Sequence, residues 1–146
     1  MCSNRLSIYI LMIFLLTSCK KDKKEYETTP VITFKSISPN PVTEYEPLLI
    51  TFEYTDGDGD LGENNASVKN LFVTDNRIGI TYSYRIQQLS PANAIIAIQG
   101  TMDAKIDNAV ITNNAVEQYV NYSLYVTDRA GHKSNIITTN DVLIKK

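Results

Sequence analysis

From Pro30 onward the chain is written in short runs of Val, Ile, Phe, Tyr and Thr, separated by Gly, Pro, Asn and Asp, with no long apolar stripe at helical spacing. No other feature constrains the fold so strongly. β-Branched and aromatic side chains suit a pleated, half-buried surface, and the residues between the runs favour turns. Strands are predicted over residues 31–38, 47–55, 68–74, 79–89, 93–102, 117–127 and 135–144, which makes about seven. Their alternation is clean in places. Leu48, Ile50, Phe52 and Tyr54 share one face while Thr51 and Glu53 share the other, and Tyr122, Leu124 and Val126 align in the same way. Each strand therefore buries one side, a need that short antiparallel strands meet by packing two sheets face to face. The expected class is all-β, an antiparallel β-sandwich. Residues 104–118 are the ambiguous stretch, and their Asn pairs favour a loop or a short helical turn over a helix.

A chain of 146 residues is long enough for one such domain and its core, and too short for two. Its formal net charge of −2 leaves no basic surface of the kind nucleic acid requires, so no nucleic-acid partner is expected.

The first eighteen residues read as a signal peptide instead of part of the fold. Arg5 gives a short charged start, and residues 6–16 are almost wholly apolar yet too short to span a bilayer as a mature helix. Export follows. The apolar run ends in Leu16-Thr17-Ser18-Cys19, which resembles the lipobox of bacterial lipoproteins. That resemblance implies cleavage before Cys19 and covalent lipid on it. Cysteine arithmetic agrees, because Cys2 leaves with the leader and Cys19 then has no disulfide partner in an oxidising compartment. Each buried acyl methylene contributes about 0.8 kcal/mol, so two or more chains hold a domain on a membrane that it does not span.

Residues 19–29, the lipidated Cys and a lysine-rich charged segment, are expected to form a solvated, disordered tether leading to a domain at 30–146. Asp22, Glu25 and Glu27 among the lysines resemble the signals that carry Bacteroidetes lipoproteins to the outer face of the outer membrane. The implied location is the outer membrane, lipid-anchored, with the surface and periplasmic faces both open.

Tyr122, Leu124, Val126 and Asp128 resemble the sixth strand of the immunoglobulin-like fold. The resemblance covers residues 30–146. It implies Tyr122 at the tyrosine-corner position and Leu124 where antibody domains place a cysteine, faced by Ile50 or Phe52 from the second strand. The chain has no Trp, so it is a relative of that sandwich and not an antibody-type domain.

At the end of the second predicted strand stands Asp56-Gly57-Asp58-Gly59-Asp60-Leu61-Gly62-Glu63. Three carboxylates within five residues repel one another, and two explanations remain open. One is an exposed turn, in which glycines permit unusual backbone and water screens the charge. The other is a calcium site, since Ca²⁺ takes six to eight oxygens at about 2.3–2.6 Å and a flexible Asp-Gly backbone can wrap several around one ion. An EF-hand is excluded, because Leu61 stands where that loop needs Gly and Ser67 where it needs Glu. In an immunoglobulin-like topology the loop at 127–135 lies at the same pole, which would bring Asp128 to Asp56, Asp58 and Asp60, with Glu63 and Asn135 as further donors. The acidic loop resembles those of cadherin-like extracellular modules. Lipobox, tether and a domain carrying this loop together resemble a group of small Bacteroidetes lipoproteins, a likeness that implies location and fold but no activity.

Catalysis is not expected. His132 is the sole histidine, no activated nucleophile or zinc set is present, and the acids crowd onto one loop. The expected function is a membrane-anchored, calcium-stabilised binding or adhesion module for a protein or glycan ligand. The alternatives are a structural subunit of an envelope complex and a carbohydrate-binding accessory protein, the latter if Tyr82 and Tyr84 form an exposed platform. An exposed apolar patch contiguous with the aspartate loop would favour the binding module, and a long unpaired edge strand would favour assembly.

Overall fold

The computed structural model describes residues 26–146. The expected signal peptide at 1–18, Cys19 and the expected tether through residue 25 lie outside the described residues.

Ten strands and no helix occur among the described residues: β1 (Val31–Ser38), β2 (Val42–Thr43), β3 (Leu48–Asp56), β4 (Leu71–Asp75), β5 (Ile80–Tyr84), β6 (Ile98–Ile106), β7 (Glu117–Val120), β8 (Tyr122–Val126), β9 (Ile137–Thr138) and β10 (Val142–Lys145). They form sheets in the orders β1-β3-β6, β5-β4-β8-β9 and β2-β10-β7. All pairings are antiparallel except β2 with β10.

The alternation seen in the sequence decides which side chains go inside. Leu48, Ile50 and Phe52 of β3 and Ile32 of β1 join Val73 of β4 and Tyr122, Leu124 and Val126 of β8 in one buried cluster, which makes the fold an all-β sandwich. Tyr122 and Leu124 are buried at the positions that the immunoglobulin-like pattern implies. Every buried apolar side chain among the described residues lies between Pro30 and Ile144, so residues 26–146 carry a core of their own.

Three predicted strands are shorter or displaced, the one expected at 68–74 occupying 71–75. The strand expected at 79–89 stops at Tyr84, and the one expected at 93–102 occupies 98–106. Residues 85–97 between them are irregular because their backbone is engaged elsewhere. Ile86 N–H donates to Asn70 Oδ1 at 2.6 Å, and Ile96 N–H donates to the Asp58 carbonyl at 3.3 Å. The strand expected at 117–127 breaks at Asn121, and that at 135–144 breaks between Thr138 and Val142. Tyr122 N–H donates to Thr139 Oγ1 and Asn121 Nδ2 donates to Asp141 Oδ1, so β7 and β10 pair with each other while β8 pairs with β4 and β9. Residues 107–116 form a loop, as the Asn pairs suggest.

β3 and β6 pair along their whole length, from Leu48 with Ile106 to Asp56 with Ile98. Asp56 therefore sits where β6 begins, and the adjacent Thr55 is paired with Val31 at the start of β1. This register gathers the aspartate loop, the irregular segment 85–97 and the entry of the chain at one pole.

Candidate metal centre

Asp56 is the last residue of β3, and the strand alternation turns it inward like Phe52 two pairs earlier, so that it is fully buried. A carboxylate at that place loses its water and needs partners. One of its oxygens has one, since Leu61 N–H donates to Oδ2 at 2.8 Å. Asp60 is held in a similar way, its Oδ2 accepting from Ala130 N–H at 2.9 Å. The other oxygens are unmatched: Oδ1 of Asp56, of Asp58 and of Asp60 are all buried without a hydrogen-bond partner. Asp56, Asp58 and Asp60 each offer an oxygen within 4.8 Å of the others. Such a group of buried acceptors could hold a metal ion.

The electrostatics carry the same mark. Burial pushes the Asp56 carboxyl up to about 6, opposed by the Leu61 N–H and reinforced by Asp58 and Asp60. Burial also raises Asp60, helped by Asp128 and opposed by the Ala130 N–H.

The loop at 127–135 reaches this pole as the sequence pattern predicts. Leu61 pairs with Asp128 as an isolated bridge, and Arg129 N–H donates to the Asp60 carbonyl at 3.3 Å. Asp128 nevertheless spends its carboxylate elsewhere. Oδ1 accepts from His132 N–H at 2.7 Å, and Oδ2 lies 2.9 Å from His132 Nδ1. Glu63 Oε1 accepts from Asn65 N–H, while Asn135 is locked to both backbone groups of Ile32. The structure thus brings Asp56, Asp58 and Asp60 into one cluster and leaves the carboxylates of Asp128 and Glu63 and the amide of Asn135 on other partners.

A second feature of the site is not evident from the acidic motif itself. Residues 85–97 clasp the aspartate loop: Ser90 Oγ donates to the Gly59 carbonyl, and Ile96 N–H donates to the Asp58 carbonyl. Gly59 has φ 75°, and a Cβ there would stand 2.2 Å from the Ile96 carbonyl oxygen, so only glycine permits the approach. The clasp leaves Leu89, Ile95 and Ile96 exposed, with Ile95 at 86%. Pro91 and Asn93 between them were the available sequence signal for a loop in place of a strand.

Away from this pole, Tyr82 and Tyr84 are half-buried against the core. At the far end of β4, Arg77 grips the buried Asp75 through Nε at 3.0 Å and Nη2 at 2.6 Å, and also reaches the Val110 carbonyl and Gln118. The Asp-x-Arg spacing across that turn was visible in the sequence, but not that the pair is buried.

Comparison with protein-family models, with curated proteins and with solved structures found no match.

Proposed function

We propose that the chain is an exported, lipid-anchored and non-catalytic binding module whose aspartate loop holds a calcium ion. The observation that carries this reading is the trio of buried, unpartnered Oδ1 atoms on Asp56, Asp58 and Asp60. Each of the three carboxylates offers an oxygen within 4.8 Å of the others, the hard donor type that Ca²⁺ prefers, whereas a thiolate or imidazole metal would lack its ligands here. The ion would hold together a loop whose carboxylates otherwise repel, and with it the clasp at 85–97. A binding module is favoured over a purely structural subunit because exposed Leu89, Ile95 and Ile96 stand directly beside the metal loop.

Thermal unfolding of residues 26–146 in EDTA and in calcium tests the metal. At a calcium concentration about 100 times its dissociation constant, the folded state gains roughly 2.7 kcal/mol, seen as a rise of several degrees. An Asp58→Ala, Asp60→Ala variant should lose that rise. Equal melting temperatures with and without calcium would overturn the calcium reading.

One observation favours the subunit reading. β5 pairs only with β4, and exposed Ile80 in it and exposed Ile78 in the turn before it give an incoming strand an edge to extend. A chain cross-linked through that edge to a partner, with the aspartate pole free, would support assembly instead.

A further inference from the structure

The chain enters the domain at the metal pole. Gly57 N–H donates to the Glu27 carbonyl at 2.8 Å, and Tyr26 OH donates to Gln99 Oε1 close to the start of β6. Residues 26–29, expected as the end of a solvated tether, thus lie against the aspartate loop. Only six residues lie between Cys19 and Tyr26, and the seven steps from one to the other reach about 25 Å even when fully extended. A compact domain of this length is about 35 Å across. If Cys19 carries lipid, or if the apolar run at 6–16 stays in the bilayer, the aspartate pole is the end that faces the membrane. The opposite pole is out of reach of the anchor.

Two further properties of that pole fit a lipid surface. Ile95, 86% exposed, and Ile96, 50% exposed, project from a loop tip where a soluble domain gains nothing by showing them to water. Without an ion the pole holds Asp56, Asp58, Asp60 and Asp128 and would repel anionic headgroups. A bound Ca²⁺ offsets two of those negative charges and so weakens the repulsion. Arg129 at the same pole adds positive charge, although its Nη1 is directed to the Gly62 carbonyl.

We infer that the calcium-loaded aspartate pole docks on an anionic phospholipid bilayer, with Ile95 and Ile96 entering the interface and the ion lessening the pole's repulsion for the headgroups. The inference rests on the calcium reading above. It makes the tethered domain sit down on its membrane when calcium is present and stand off when it is absent. The far pole and the sheet edges remain open to solution.

The chain contains no Trp, so Ile95→Trp is a site-specific reporter on an exposed position that does not bear on the core. Residues 26–146 bearing it are mixed with vesicles of phosphatidylcholine, with or without phosphatidylglycerol, in EDTA and in calcium. A blue shift of the Trp emission is expected with phosphatidylglycerol and calcium together. Co-sedimentation of the unlabelled domain with the same vesicles should fall about tenfold or more for Ile95→Asp, Ile96→Asp, whose melting temperature should still rise with calcium. Emission unchanged by vesicles, in a protein that calcium does stabilise, overturns the docking inference and spares the metal. Insertion equal in EDTA and calcium overturns the role of the ion. Melting that ignores calcium removes the metal reading and this inference with it.

Discussion

Nδ1 of His132 lies 2.9 Å from Oδ2 of Asp128, while the backbone N–H of His132 donates to Oδ1 of the same carboxylate at 2.7 Å. This double engagement closes the turn after β8 and explains why a carboxylate delivered to the metal pole stands outside the aspartate cluster. Asp128 still acts on the cluster through space, raising Asp60. It shapes the field of the site without lending it an oxygen.

Removing that carboxylate therefore separates structure from ligation. Asp128→Ala should cost about 1–3 kcal/mol, because the part-buried His132 N–H loses its acceptor and the His132 ring its partner. The rise in melting temperature with calcium should survive. A variant that still folds but no longer responds to calcium would instead make Asp128 a ligand. His132→Ala, at a side chain about half exposed, should cost less and leave the calcium response intact.

The pH dependence follows from Asp56. The unfolded chain releases this proton near 3.8, and the folded, ion-free chain keeps it up to about 6. The folded state binds it more tightly, so its contribution to stability is complete below 3.8 and is lost as pH rises through about 6. Asp60 is shifted in the same direction. Urea midpoints in EDTA should fall across that window. Calcium competes with the proton for the same oxygens, so the calcium-induced gain should grow across it and shrink again on acidification. An ion-free midpoint that climbs through the same window would refute the assignment.

How much of this could be read from the sequence differs from element to element. β1 and β3 were legible to within a residue, because their alternating side chains belong to strands with one wet and one buried face, and the paired register does not override that pattern. The meeting of the 57–63 and 127–135 loops was also legible, since it follows from topology. Residues 93–97 were not. Their Ile-rich composition favours a strand, but Ile96 gives its N–H to Asp58, a long-range demand that no local pattern encodes. Likewise Asp128, Asp58 and Asp60 look alike in the sequence, and only the geometry of the turn sends the first to His132.

The Asp75 and Arg77 pair should be among the costliest to break. Asp75 is almost wholly buried, and Arg77 satisfies it bidentately while bonding the Val110 carbonyl and Gln118. Arg77→Ala leaves the charge of Asp75 uncompensated, which costs about 3–5 kcal/mol and lowers the melting temperature by about 10 °C or more. A double Asp75→Leu, Arg77→Met variant should recover part of this, because no buried charge is then orphaned. Calcium should raise the melting temperature of each variant that folds by the wild-type amount, as the pair lies at the opposite end of β4.

Gly59 and Gly79 allow the clasp to be weighed on its own. Both have positive φ, 75° and 71°, so alanine pays a similar backbone penalty at either, about 1 kcal/mol or somewhat more. Their surroundings differ. A Cβ at Gly79 meets nothing within 4 Å, while one at Gly59 stands 2.2 Å from the Ile96 carbonyl oxygen and 3.4 Å from Ser90 Oγ. The excess destabilisation of Gly59→Ala over Gly79→Ala in urea therefore measures the close seating of residues 85–97 on the aspartate loop. The excess should be about 1–3 kcal/mol, the usual cost of forcing a close backbone contact apart. Calcium affinity should drop with it, since the displaced loop carries Asp58 and Asp60, while Gly79→Ala should bind the ion as the parent does. Equal costs for the two variants would mean that the clasp yields freely and that the presentation of Ile95 and Ile96 is independent of the metal loop.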